Sequence, residues 1–304
     1  MESFKAVFFI YLFIAIAYVG KKIFKEKIDE KSLVLLSVYI FQPFLTFWGL
    51  LKKPIDTDLA LAPIIFFSLC LLVVVINYIL AKKLFSDPKD RSIFTVSSVI
   101  GNTGNLGVPL GLALFGEDSL PYTTIINLAN VFMVYSLGAY FYSRGSFDVK
   151  KSIINTLKLP ILWFALLAVF LNLSGYRPQR EFEMFLQMGS YTAIVLQLFI
   201  FGAYLAKVRL GHIDLRLTFF VSFTKFITLP LITFFAIKAL SLEPLAKQTI
   251  FMEMAMPLAV ANVNLAALYR CKELAVTSLV FITSVLFVFL LPFYIEIIKL
   301  LGEI

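Results

Sequence analysis

Gly101-Asn102-Thr103-Gly104-Asn105-Leu106-Gly107-Val108-Pro109 interrupts an apolar stretch that runs from residue 92 to residue 115. Three glycines, two asparagines and a proline in nine residues make a poor helix. An interior Gly costs ~1 kcal/mol against Ala, and Pro ~3. In a bilayer, backbone freed from helical bonding cannot face lipid and must line protein or a water-filled cavity. The stretch therefore predicts a membrane helix broken into two halves near the midplane. A half-helix N-terminus offers free N–H groups and partial positive charge, which suit a carboxylate. A half-helix C-terminus offers carbonyls, which suit a cation.

A second interruption lies in the other half of the chain. Glu253-Met254-Ala255-Met256-Pro257, followed by Asn262 and Asn264, breaks the apolar stretch 247–269. Aligning Leu114-Phe115 with Leu268-Tyr269 sets Asn102 opposite Met256 and Thr103 opposite Pro257, so the two breaks coincide. Outward from them, apolar segments fall at 3–20, 33–51, 59–81, 92–115, 122–143, 153–174, 188–206, 217–240, 247–269 and 274–298. The broken segments are the fourth and the ninth, each the fourth of five. An odd number of spans per half inserts the second half upside down, and inverted repeats are a recurring plan for secondary transporters. The expectation is an all-α polytopic membrane protein with ten transmembrane helices. They form two inverted five-helix repeats, residues 1–146 and 147–304.

Composition agrees. Of the 304 residues 60% are apolar and only 15% charged, and mean hydropathy is +0.91. A soluble domain carries about 25% charged residues, so a soluble globule and a disordered chain are both excluded. The 27 Lys and Arg exceed the 19 Asp and Glu. That excess reads as loop charge against anionic lipid, not as a nucleic-acid surface. Most of it sits in the loops after spans 1, 3, 5, 7 and 9, which predicts a cytoplasmic (inner) membrane protein with both termini outside and His212 in the cytoplasm. Ala15-Ile16-Ala17 mimics a cleavage site, but the basic cluster Lys21, Lys22, Lys25, Lys27, Lys31 follows the apolar run, as at a retained helix. Cys70 and Cys271 have no metal-ligand or disulfide spacing. With no HExxH, no intramembrane histidine and no paired acids, an enzyme is not expected. The glycine spacing at 101–107 follows no strand, so it is not a dinucleotide loop.

The polar residues within the spans are the candidate site. Glu253 lies just before the second break, where an ionised group costs about 2.5–3.5 kcal/mol. A carboxyl there is expected to bind a cation or to exchange a proton. Asn127 and Asn130, spaced i and i+3, can face the fourth span together. Only one of Asn262 and Asn264 can line a site. Lys225, about eight residues into the eighth span, is expected to snorkel to the cytoplasmic interface. Gln42-Pro43 predicts a kink in the second span, and Lys158-Leu159-Pro160 a helix start.

These motifs resemble a known family. Gly101-Asn102-Thr103-Gly104-Asn105-Leu106-Gly107-Val108-Pro109-Leu110 resembles the fourth-helix motif of the auxin efflux carrier family, and Ala255-Met256-Pro257 with the helix to Tyr269 its ninth-helix counterpart. Tyr39-Ile40-Phe41-Gln42-Pro43 and Lys158-Leu159-Pro160 resemble its second and sixth helices. The resemblance covers nearly the whole chain, and the lack of a long insertion around 144–152 is like prokaryotic members. The seventh span departs from it, with no proline between Met188 and Lys207. The family is similar in fold to bile acid–sodium symporters. The resemblance implies a scaffold panel of helices 1, 2, 6 and 7, a core panel of helices 3–5 and 8–10, and a crossing of helices 4 and 9 at the midplane. It also implies that Glu253 is placed like a sodium-ligating glutamate, so Na⁺ is a possible coupling ion; no other cofactor is expected.

The functional expectation is a secondary active transporter of small organic anions, chiefly carboxylates, working by elevator-like motion of the core panel and coupled to Na⁺ or H⁺. Asn102, Thr103, Asn105, Pro257 and Asn262 are the candidate substrate residues. Glu253, Met256, Asn102, Asn127 and Asn130 are the candidate ion-coupling residues. The partners are the anion and the lipid bilayer, with a homodimer through the scaffold face compatible with both. The competing classes are a passive channel or uniporter and a solute sensor that does not transport.

Overall fold

The computed structural model describes residues 2–143, 149–208 and 213–303. His212 and residues 144–148 of the short loop lie outside the described residues. The described chain is helical throughout, and its only extended pairing is one isolated bridge. In chain order, counting 3-10 and π turns with their helices, α1 is Glu2–Phe24, α2 Glu30–Leu51, α3 Thr57–Leu84, α4 Pro88–Val96 and α5 Thr103–Phe115. Then come α6 Glu117–Ser143, α7 Val149–Leu157, α8 Pro160–Leu173 and α9 Arg180–Lys207. The chain ends with α10 Leu215–Lys238, α11 Pro244–Ala255, α12 Ala261–Leu268 and α13 Glu273–Glu303.

Among the described residues, seven helices are long and apolar enough to cross a membrane: α1, α2, α3, α6, α9, α10 and α13. The chain is a multi-pass membrane protein. Three of the ten expected segments are not single helices but pairs of shorter ones. The 92–115 segment is split between α4 and α5 at Gly101-Asn102, and 247–269 between α11 and α12 at 256–260. The 153–174 segment is split between α7 and α8, because Pro160 starts a helix and Leu159 before it is extended. A residue preceding proline is disfavoured in the helical region, so the division is local chemistry. The seventh span, which lacks proline, is the unbroken 28-residue helix α9.

Proline acts more gently in α2, α5 and α10. Each carries a π turn, at Ser37–Phe41, Thr103–Gly107 and Thr224–Thr228. Each turn ends two residues before a proline: Pro43, Pro109 and Pro230. Proline lacks an N–H and its ring presses on the carbonyl four residues back. The wider turn relieves that pressure. At Pro230 the carbonyl concerned is that of Phe226, and the buried Tyr294 hydroxyl donates to it at 2.8 Å. The kink expected at Gln42-Pro43 is thus a π turn continuing into helix.

The chain divides into two units. One comprises Met1–Ala62, Gly104–Leu128 and Leu157–Lys207; the other comprises Pro63–Thr103, Ala129–Thr156 and Val208–Ile304. In the first, α1 packs along α9, and α8 and α9 both pack on the second part of α2. The close approach of α1 and α9 depends on Gly202, where a Cβ would run into the carbonyl oxygen of Ile14. Glu30 ties this unit's chain ends together by pairing with Lys21 and Lys207. In the second unit α11 packs on α10 and α13, and α12 on α13. This unit contains both backbone breaks.

Candidate functional site

The two breaks meet. Gly101 and Leu258 form an antiparallel bridge. Asn102 N donates to Pro257 O at 2.8 Å, and Ala259 N donates to Ile100 O at 2.9 Å. Each break thereby satisfies backbone groups that the helices released, which buried backbone requires. Gly101 allows the approach: a Cβ there would stand 3.1 Å from Lys225 Nζ and 3.6 Å from Met256 O.

Side chains from three elements close the remaining valences. Asn130 of α6 donates to Gly101 O at 2.8 Å and to Thr103 Oγ1 at 2.9 Å. Asn262 of α12 donates to Ile100 O at 3.0 Å and to Ala259 O at 3.1 Å, and accepts from the Tyr142 hydroxyl at 3.1 Å. Thr283 of α13 accepts from Leu258 N at 3.4 Å. Asn262 takes the inner position and Asn264 is exposed, as i, i+2 spacing on a helix requires.

Lys225 is the residue that sequence reasoning misplaced. It does not snorkel to an interface. It is 1% exposed, and its ammonium donates to Met254 O at 3.1 Å beside the crossing. The π turn Thr224–Thr228 carries it, and Pro230 five residues on is the cause of that turn. Proline just after a deep lysine was the available signal. Cys70 of α3 and Glu253 of α11 are the titratable groups within its electrostatic reach, and neither Glu253 oxygen is hydrogen-bonded to it. Cys70 Sγ lies 3.8 Å from Met254 Sδ and 3.9 Å from Val99 O. Both cysteines are buried, and neither forms a disulfide among the described residues.

Glu253 is wholly buried in the last turn of α11. Neither of its carboxylate oxygens has a hydrogen-bond partner among the described residues, and the same holds for Asn102 Nδ2 and Asn130 Oδ1. Buried polar atoms without partners are rare in folded proteins and mark places where something else binds. Asn102, Thr103, Asn130, Glu253, Met256, Pro257 and Asn262 are therefore gathered in one unit at one crossing. Asn105 and Asn127 belong to the other unit, where the Asn127 amide lies against Gly104. No cluster of three or more His, Cys, Asp or Glu exists among the described residues.

Several carbonyls at the crossing accept hydrogen bonds. Ile100 O accepts from Ala259 N and Asn262, Gly101 O from Asn130, Pro257 O from Asn102 N, and Met254 O from Lys225. A sodium ion needs a shell of oxygens with free lone pairs, as hard cations do. The crossing offers the Glu253 carboxylate and Asn130 Oδ1, all without hydrogen-bond partners among the described residues.

Comparison with known proteins agrees with the membrane architecture. The family model described as membrane transport protein matches residues 2–295. The chain is similar to an uncharacterized transporter of Methanocaldococcus jannaschii, 27% identical over 289 residues, which cover 91% of this chain and 93% of that protein. It is also similar to an uncharacterized transporter of Methanothermobacter thermautotrophicus, 26% identical over 149 residues, 48% of this chain and 49% of that protein.

Proposed function

The chain belongs to the membrane transport protein family, the auxin efflux carriers, and we propose that it is a secondary active transporter of small organic anions. The observation that carries this reading is the crossing itself: two backbone breaks joined by a two-residue ladder, with unpartnered polar atoms at their junction. The first turns of α5 and α12 begin at these breaks, and helix N-termini favour negative charge. In this reading the substrate carboxylate meets N–H groups and amides at Asn102 and Thr103, with Pro257 and Asn262 shaping the crossing. An apolar body on the substrate suits the surrounding Met256 and Leu258.

The topology proposed for this activity is ten spans in two inverted repeats, with α4–α5 and α11–α12 as the broken spans. Helices 1, 2, 6 and 7 act as a scaffold, and the core carrying the crossing moves against them like an elevator. One unit groups α1, α2, α8 and α9, together with residues 104–128 of α5 and α6, which this division assigns to the core. The basic loops support a cytoplasmic-membrane orientation with both termini outside.

Coupling runs through Glu253, with Asn102, Asn130 and Met256 around it. Of the two cations considered, the proton fits better. A buried carboxyl without hydrogen-bond donors can take up and release a proton when the crossing opens to water, and it needs no oxygen shell to do so.

The test is thermal stability of the purified protein against mono- and dicarboxylates from pH 5 to 8. A ligand at 100 times its Kd adds about 2.7 kcal/mol. A carboxylate-specific rise in Tm, lost in Asn102→Ala, is expected. A panel without any response would overturn the organic-anion assignment and leave the fold standing.

A further inference from the structure

We propose that Gln197 and Tyr11 form a second binding position, for an uncharged carboxylic acid or primary amide, inside the packing of α1, α5 and α9. It belongs to the unit without the backbone breaks, and it goes beyond the anion reading of the crossing and stands independently of it.

Gln197 is wholly buried in α9. Neither its Nε2 nor its Oε1 has a hydrogen-bond partner among the described residues, and nor does the buried Tyr11 hydroxyl of α1. A glutamine in a membrane helix ordinarily bonds to a neighbouring helix. Here the neighbours do not answer it, and the packing register sets the two side chains at one level. Gly202 of α9 faces Ile14 and Ala17 of α1, and farther along Lys207 and Lys21 pair with the same Glu30. The two helices therefore run parallel. Five residues before Gly202 comes Gln197, and five before the stretch 14–17 comes 9–12, which holds Tyr11. Residues 108–115 of α5 pack on both helices and contain no polar side chain.

Donor and acceptor capacity fixes the ligand class. A glutamine amide sets N–H donors beside a carbonyl acceptor, and a phenol hydroxyl is both donor and acceptor. An undissociated carboxylic acid or a primary amide likewise presents donor and acceptor side by side. Its carbonyl takes a bond from Gln197 Nε2 while its O–H or N–H gives one to Oε1, and the Tyr11 hydroxyl adds a third. A carboxylate only accepts, so it would leave Oε1 unanswered and bring a charge into apolar surroundings. Polar atoms buried there without partners are costly, so a guest that pairs them stabilises the packing.

The experiment measures Tm of the purified chain at neutral pH in propionamide, benzamide and sodium benzoate, for the native chain, Gln197→Leu, Gln197→Met, Tyr11→Phe and Asn102→Ala. At least one amide is expected to raise the native Tm by about 2–4 °C, the size that a modest ligand linkage gives. Asn102→Ala should keep that rise, and both Gln197 variants should lose it. Without ligand those two should melt no lower than the native chain, because an apolar replacement removes two unpaired polar atoms. Tyr11→Phe should weaken amide binding ~2–10-fold, the worth of one hydrogen bond. A native chain that responds to neither amide overturns the proposal, and that arm needs no variant to fold. An amide response that survives in Gln197→Leu or Gln197→Met overturns it too, as does a fall in the ligand-free Tm of both. Any benzoate response belongs to the crossing and should survive Gln197→Leu but not Asn102→Ala, so failure of the organic-anion reading shows in the benzoate arm and failure of this one in the amide arms.

Discussion

Asn262→Ala removes the side chain that clamps both breaks, and its cost can be worked from the contacts. Asn262 Nδ2 gives two hydrogen bonds, to Ile100 O and Ala259 O. Neither carbonyl is orphaned by the change, since Ile100 O keeps Ala259 N and Ala259 O keeps the residue-262 backbone N–H at 3.1 Å. Two such bonds are worth ~0.5–1.5 kcal/mol each in general and ~0.6 on average between membrane helices. The Tyr142 hydroxyl is different. It is buried, it donates to Asn262 Oδ1, and leaving it without that acceptor costs ~1–3 kcal/mol. The expected loss is about 2–4 kcal/mol. Reversible unfolding in mixed micelles, followed by tryptophan fluorescence, measures it. Asn264→Ala, two residues away and exposed, should stay within ~0.5 kcal/mol of the native chain. Tyr142→Phe/Asn262→Ala should cost less than the two single changes together, by ~1 kcal/mol or more, because it removes the orphan along with its partner. If Asn262→Ala and Asn264→Ala prove equally mild, the clamp does not hold the crossing and the reasoning fails.

Two predictions concern other parts of the chain. Gly202→Ala drives a methyl group into the Ile14 carbonyl and should destabilise the α1–α9 pair by ~1–3 kcal/mol in thermal unfolding, whereas Gly20→Ala meets only Ile28 Cδ1 at 3.9 Å and should be neutral or stabilising by up to ~1 kcal/mol. Asp87 caps α4 and pairs with Lys272 Nζ at 2.7 Å, and that ammonium holds its carboxyl below the usual range. A group depressed on folding stabilises above its unfolded value of ~3.9 and loses that contribution as pH falls through its folded value. Thermal scans below pH 5 should therefore decline less steeply in Lys272→Gln than in the native chain.

Much of the crossing was legible in the sequence, since Gly101, Pro109 and Pro257 are costly in helices and helix-breaking residues in apolar spans leave few alternatives. The position of Glu253 followed from the sequence, and spacing showed that only one of Asn262 and Asn264 could face inward; the structure gives Asn262. The register did not. Aligning the repeats set Asn102 opposite Met256, whereas the chains pair Gly101 with Leu258, because repeat equivalence and antiparallel contact are different relations. Lys225 was lost for another reason. Its depth in α10 suggested snorkelling along a regular helix, and a π turn changes the face on which a residue emerges without altering the hydropathy pattern. The apolar run 153–174 read as one span, and the helix start expected at Lys158-Leu159-Pro160 is where α8 begins.

In the function proposed above, the crossing carries anions by alternating access. Counterflow in proteoliposomes tests it most directly, using the carboxylate that gives the largest rise in Tm. Vesicles loaded with the unlabelled anion should accelerate entry of the labelled one, with saturation, and Asn102→Ala should slow that entry at least tenfold. Flux that rises linearly with concentration, shows no acceleration from the opposite side and is untouched by Asn102→Ala would contradict it.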